Sequence, residues 1–197
     1  DVRRAADPVP RSTTGALGVV VGQEMYTPQN IDVRRLIKKD RPYAGWLYAG
    51  FLSANVQRAV GGAQGDSLNS WEVDVGVVGP SSHAESLQDL LHAAGGSNEA
   101  QGWDNQLKDE VGLVVTYEHR RRLLAGVFGS GHDWDVIGGV GASLGNVRTQ
   151  ATAGAMVRFG DNLPRDFGVN TIHRTATDVG AIDPDRGWRW YVYGGVD

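Results

Sequence analysis

Apolar and polar positions alternate with period two along most of this chain, and the one stretch with a helical period follows directly on the clearest alternation. Between Leu68 and Gly79, Trp71, Val73, Val75 and Val77 share one face while Glu72, Asp74 and Gly76 share the other, as in a strand with one apolar side. The alternation stops at Gly79-Pro80. Ser81 and Ser82 are then placed to cap a helix from His83 to Gly96, in which Leu87, Leu90 and Leu91 recur at helical spacing and Gly95-Gly96 supplies the stop. Gln88 and His92 are four apart and project from one face of that helix, just past the strand end.

The same alternation predicts strands over 16–24, 46–57, 111–121, 133–146, 149–160 and 188–196. The second of these sets Trp46, Tyr48, Leu52 and Val56 against Ser53, Asn55 and Gln57, and an aromatic pair at a strand's beginning suits the interfacial girdle of a membrane barrel. Residues 1–15 are polar, carry Pro8 and Pro10, and read as a loosely ordered lead-in. The stretches 25–40 and 160–187 read as long loops, and 101–110 as a polar connector. The expected fold class is therefore all-β, an antiparallel outer-membrane-type β-barrel with one short helix after a central strand, in a single domain over 1–197. Such single-chain barrels normally have an even number of strands. Seven visible strands thus imply a fragment of a longer barrel, with strands missing at both ends.

Composition narrows the chemistry. Glycine is 28 of 197 residues against only 7 prolines, so the excess belongs inside ordered elements, at bends and close approaches. A net charge of −4 leaves no broad basic surface for a phosphate backbone, and no nucleic-acid partner is expected. The sequence has no cysteine, which removes disulfides and thiol catalysis. The histidines are dispersed and no HExxH occurs, which disfavours zinc. No apolar run approaches the roughly 18 to 20 residues of a spanning helix, so any membrane crossing would be made by strands.

Arg34, Arg35, Lys38, Lys39 and Arg41 lie beside Tyr43, Trp46 and Tyr48, a cationic and aromatic group suited to an anionic lipid; Arg41, Tyr43 and Trp46 are the candidate substrate contacts. A second basic cluster, His119 to Arg122, reads as a strand edge or turn in water. Asp74, on the polar strand face, is expected to pair with Arg41 or Arg158. Asp32, Asp40, Asp104 and Asp161 are loop carboxylates without a recognisable metal-binding spacing, so the metal ligands stay unassigned.

Six motifs then occur in order: MYTP (25–28), DRPYAGWLY (40–48), DVGVVGPSS (74–82), ESLQDLLH (85–92), GWDNQLKDE (102–110) and RFGDNLP (158–164). Together they resemble the LpxR-type lipid A deacylases of Gram-negative outer membranes, over roughly residues 16–196. The resemblance implies a β-barrel in the outer membrane that hydrolyses the ester of the 3′-linked acyloxyacyl group of lipid A, in lipopolysaccharide, with calcium dependence. The family's catalytic histidine follows the Gly-Pro proline by twelve residues, the place of His92, where it is thought to act as general base on water. Gln88 would orient the histidine or its water, and Arg34 and Arg35 are nearest to the basic pair of some members. The family's early strand with an Asn-Asp pair, which helps to build the calcium site, has no counterpart before Ala16.

Three other readings fit the same residues: a barrel without catalysis that is structural or binds a ligand, an outer-membrane phospholipase using Ser81 or Ser82, and a soluble β-sandwich binder. The serines lack the strand-turn-helix elbow of a hydrolase nucleophile, and helix capping suits them better.

Overall fold

The computed structural model describes residues 11–129, 131–168 and 190–196. The described residues form one seven-stranded antiparallel sheet in sequential order, each strand paired with the next. The strands are β1 (Arg11–Tyr26), β2 (Ala44–Ala59), β3 (Ser67–Val78), β4 (Glu110–Phe128), β5 (His132–Gly145), β6 (Gln150–Asp161) and β7 (Trp190–Val196). A twelve-residue helix α1 (Ala84–Gly95) follows β3. Among the described residues β1 and β7 each have a single neighbour, so the sheet is an open, curled wall. The sequence-predicted 1–10 lead-in, most of the 160–187 loop, and Trp188 and Arg189 of the last predicted strand lie outside the described residues.

Side-chain parity shows which face is which. Leu17, Val19 and Val21 of β1, Phe51 of β2, Trp71 and Val75 of β3, Val111 of β4, Leu144 of β5, Val157 of β6 and Val192 of β7 all point outward and are exposed. The opposite, concave face buries Ser70, Glu72, Asp74, Arg122, Asp135, Ser143 and Arg158. Charged and polar side chains buried within, beside apolar ones such as Leu52, Val114 and Ile137, and a band of exposed apolar side chains outside invert a soluble sheet and are the arrangement of a barrel wall in lipid. No helix among the described residues is long and apolar enough to cross a membrane.

One end of the concave face is closed by ion pairs. Arg158 donates to both carboxylate oxygens of Asp135, from Nε at 2.9 Å and Nη2 at 2.6 Å, and also to Asp166. Arg122 donates to Asp135 at 2.9 Å and to Asp66 at 2.9 Å. Arg165 grips the same Asp66 at 2.7 and 2.8 Å. These bonds fold residues 162–168 back over the inner face, where Phe167 packs with Ala54, Val56, Leu68 and Ile137. A cavity of about 660 Å³ opens at this end, bounded by the 59–64 turn, Trp134 and Arg165.

Several sequence-based expectations change. Strand β1 begins at Arg11, so 11–15 is sheet, because Thr13 and Gly15 find ladder partners in Gln57 and Asn55. Strand β4 continues past Arg121 through a register shift between Arg122 and Leu124. Arg122 keeps the inward parity of Thr116, Glu118 and Arg120 and is 1% exposed, rather than in a hydrated turn, and the shift beyond it turns Leu124 outward. Trp46 and Tyr48 are not a lipid girdle: they stack inside the wall, centroids 4.2 Å apart. At the opposite end the outward Trp190 lies edge-on to Phe159 and donates to Asp161 at 2.9 Å. Asp74 meets neither Arg41 nor Arg158; Arg158 is spent on Asp135 and Asp166.

Candidate functional site

Helix α1 sits at the other end of the wall, where the connections β1–β2 (27–43) and β3–β4 (79–109) are long. Its mounting point is outward. Gly45 has the parity of the outward Leu47, and a Cβ on Gly45 would run into Ser82 and Ala84. Gln23, outward on β1, donates to the Ser82 carbonyl at 2.5 Å. The helix therefore leans on the outside of the wall, not over its hollow.

The turn that leads into it differs from the expected cap. Residues Pro80–Ser82 form a 3-10 turn, His83 takes a left-handed conformation at φ 56°, and no side chain caps the helix. Ser82 instead donates to the Gly79 carbonyl at 2.6 Å and is fully buried. Ser81 gives both its N–H (2.8 Å) and its hydroxyl (2.7 Å) to Asp109. Neither serine is presented as a nucleophile.

Those two donated bonds hold the Asp109 carboxyl below the usual carboxylate range, and the positive field of His83 adds to this. A depressed folded-state pKa contributes stability that is present above the unfolded value and lost as pH falls through the folded one. Acidification past the ordinary aspartate range should thus release the 80–82 turn. Amide exchange at Ser81 should accelerate there, and in Asp109→Asn it should be fast already at neutral pH. Equal exchange in both proteins at all pH values would remove Asp109 as the anchor.

A buried cluster of Tyr43, Ala84, Ala100 and Trp103, with Met25 and Ile31 against it, joins α1 to both long connections. Trp103 tilts against Tyr43 at 5.0 Å and gives its Nε1–H to Gln88 at 2.7 Å. Tyr43 gives its hydroxyl to the Ile31 carbonyl at 3.2 Å. Tyr43 (3% exposed) and Trp46 (0%) are thus interior and offer no surface to a substrate, which corrects their assignment as contacts. Gln88 is a positioning residue, since its carbonyl serves Trp103. Gln88→Leu would leave that indole N–H unpaired in a buried place, costing about 1–3 kcal/mol. Amide protection across α1 should fall accordingly, and Gln88→Glu, which keeps the acceptor, should restore it; unchanged protection in Gln88→Leu would refute the role.

His92 lies one turn beyond Gln88, half-buried, with Nδ1 at 2.6 Å from the Asn98 carbonyl oxygen. A carbonyl only accepts, so Nδ1 carries a proton, and in the neutral imidazole Nε2 then keeps its lone pair for another donor. The 96–98 turn makes this possible: Gly96 is left-handed at φ 68°, and Ser97 N–H bonds the His92 carbonyl at 2.9 Å. Nothing in the sequence pattern pointed to Asn98, because its contribution is a backbone carbonyl.

Arg34 reaches the same assembly through the 103–105 turn. Its carbonyl accepts from Asn105 at 2.7 Å, and its guanidinium is 3.8 Å from Asp104, with both side chains largely in water. Such an exposed pair is weak, so the guanidinium stays available to an anion. Arg35 and Arg41 are exposed on the same connection. Asp40 is held below its usual range by the amides of Gln29 and Arg41, each at 2.7 Å, and so organises that loop. On the helix, burial and the charges of Asp89 and Asp104 push the Glu85 carboxyl up. The loop carboxylates Asp32, Asp40, Asp104 and Asp161 are not gathered: Asp161 is bound to His132 and Trp190 at the far end of the wall.

A curled antiparallel wall, apolar outward and polar inward, with a histidine-bearing helix on its outer rim, defines an outer-membrane-type β-barrel. The chain belongs to the family described as outer membrane protein LpxR, whose model matches residues 2–197. Among solved structures it is similar to LpxR from Salmonella typhimurium, with a TM-score of 0.69 at 19% identity, over 94% of this chain and 62% of that one. At that identity the likeness is one of fold, and the chain spans 62% of the length of the structure it matches. No curated protein matches.

Proposed function

We propose that the protein is an ester hydrolase acting on the 3′-linked acyloxyacyl group of lipid A at the outer membrane, with His92 as general base. The observation that carries this is the Asn98 carbonyl on His92 Nδ1, which fixes the tautomer that leaves Nε2 as acceptor. Nε2 takes a proton from water, the oxygen adds to the ester carbonyl, and the collapsing intermediate expels the sugar alkoxide. The imidazolium returns the proton to that alkoxide, so that an alcohol and a carboxylic acid leave. Arg34, with Arg35 behind it, would stabilise the developing oxyanion or hold the lipid A phosphate.

Calcium would take six to eight oxygen ligands. Among the described residues no group of three or more histidine, aspartate or glutamate side chains is placed to hold a metal ion. The side chains of the described residues therefore do not by themselves supply that ligand set.

The test is incubation of the full-length protein with lipid A in detergent and calcium. Release of acyl groups should persist in Ser81→Ala and Ser82→Ala and vanish in His92→Ala. Activity that survives in His92→Ala and disappears in a serine variant would establish the phospholipase-like reading instead.

A further inference from the structure

Helix α1 carries an apolar flank that none of the described residues covers. At about 100° per residue, Ala84 and Gln88 face the wall, Glu85, Asp89 and His92 turn to one side, and Leu87, Leu90 and Leu91 turn to the other. Leu90 is 66% and Leu91 53% exposed. A polar flank bearing the histidine and a bare leucine flank thus lie on either side of the mounting line.

The place of the helix decides what the leucines meet. Its seat, Gln23 and Gly45, is the next outward position on β1 and β2 after Val21 and Leu47, with which the outward apolar band of those strands ends. One outward position along a strand is two residues, about 7 Å. A helix with its side chains is about 10–12 Å across. A flank of the helix turned along the strands toward Val21 and Leu47 therefore reaches the edge of the band.

We infer that the Leu90–Leu91 flank of α1 is seated among the acyl chains of the surrounding lipid leaflet, as a membrane-dipping rail beside His92. The occupant is lipid because the flank continues an apolar surface that runs across all seven strands. The consequence is that the histidine is held at the level where an acyl ester leaves the hydrocarbon region. The inference depends on the outer wall facing lipid and not on the ester chemistry.

The protein lacks cysteine, so single labelled positions can be introduced cleanly. An environment-sensitive fluorophore would be placed on Leu90→Cys, Leu91→Cys, Ala93→Cys and Val75→Cys, and each protein reconstituted in phosphatidylethanolamine–phosphatidylglycerol vesicles. Labels at 90 and 91 should be quenched by lipids carrying a nitroxide high on the acyl chain, and shielded from aqueous iodide. The label at 75 should respond to a deep nitroxide, and that at 93 to iodide. Iodide quenching at 90 and 91 equal to that at 93, with 75 still in lipid, would overturn the inference and leave the wall intact. Iodide quenching at 75 as well would overturn the orientation of the wall, and the inference with it.

Discussion

Arg158→Met should be the most destabilising single change in this wall, by about 3–5 kcal/mol, because it strands buried carboxylates rather than removing a surface charge. Arg158 is fully buried, and Asp135 (3% exposed) would be left to Arg122 alone. Asp166 would lose the guanidinium that fastens its carboxylate, and the Pro164 carbonyl its 3.1 Å donor, so the 164–166 stretch should loosen on the inner face while Arg165 still holds Asp66. Folded barrels run differently from unfolded ones on unheated detergent gels, which gives the readout. The urea midpoint of Arg158→Met should fall far below that of the unaltered protein. Arg165→Met should shift it less, since that side chain is one-third exposed. Pairing Arg158→Met with Asp135→Leu should recover part of the loss, by taking out the orphaned charge as well. A midpoint unmoved by Arg158→Met would mean that the network is incidental.

The second large effect falls on turnover. Removing a positioned general base typically costs about 10²–10⁴-fold, and His92→Ala should lose that much with its gel mobility unchanged. Stability should hardly respond, because His92 is half-exposed and its one bond, to the Asn98 carbonyl, sits in a surface turn. Gln88→Leu should do the reverse: it loosens α1 and lowers the fraction of molecules with His92 in place, and Gln88→Glu should restore both. If His92→Ala keeps full turnover while α1 stays docked, the base lies elsewhere and the site must be sought away from this helix.

The division of labour between sequence and structure follows from physics. Period-two alternation marks where strands run: β2, β3, β5, β6 and the described part of β7 lie within about two residues of their expected positions, as does the helix, while β1 begins at Arg11 and β4 runs on to Phe128. Alternation cannot tell which face is wet. Trp71 and Val75 could have been core, and Glu72 and Asp74 surface; the wall reverses that because its concave side is closed by partners brought from far away. Arg122 illustrates this, since its carboxylates come from Asp66 and Asp135, on a different connection and strand. Trp46 and Tyr48 turn inward for a related reason. A Cβ on Gly112 of β4 would meet the Trp46 indole, and one on Gly22 of β1 the Tyr48 ring, so glycines on other strands make the room that a linear reading cannot assign.

The site was legible in part for the same reasons. The spacing of Gln88 and His92 on one helix face follows from 3.6 residues per turn. What holds each one does not: Trp103 arrives from the β3–β4 connection after the helix, and Asn98 offers only a backbone oxygen. Ser81 and Ser82 looked like caps because they precede a helix, yet Asp109, 28 residues on, competes for Ser81 and wins.

The most direct measurement is mass spectrometry of lipid A extracted from Gram-negative cells that express the full-length protein, beside cells that express His92→Ala. A new lipid A species lighter by the 3′ acyloxyacyl group should be present with the unaltered protein and absent with the variant. Lipid A left unchanged by a protein shown to be folded in the outer membrane would refute the 3′-deacylase reading. So would the loss of some other acyl group.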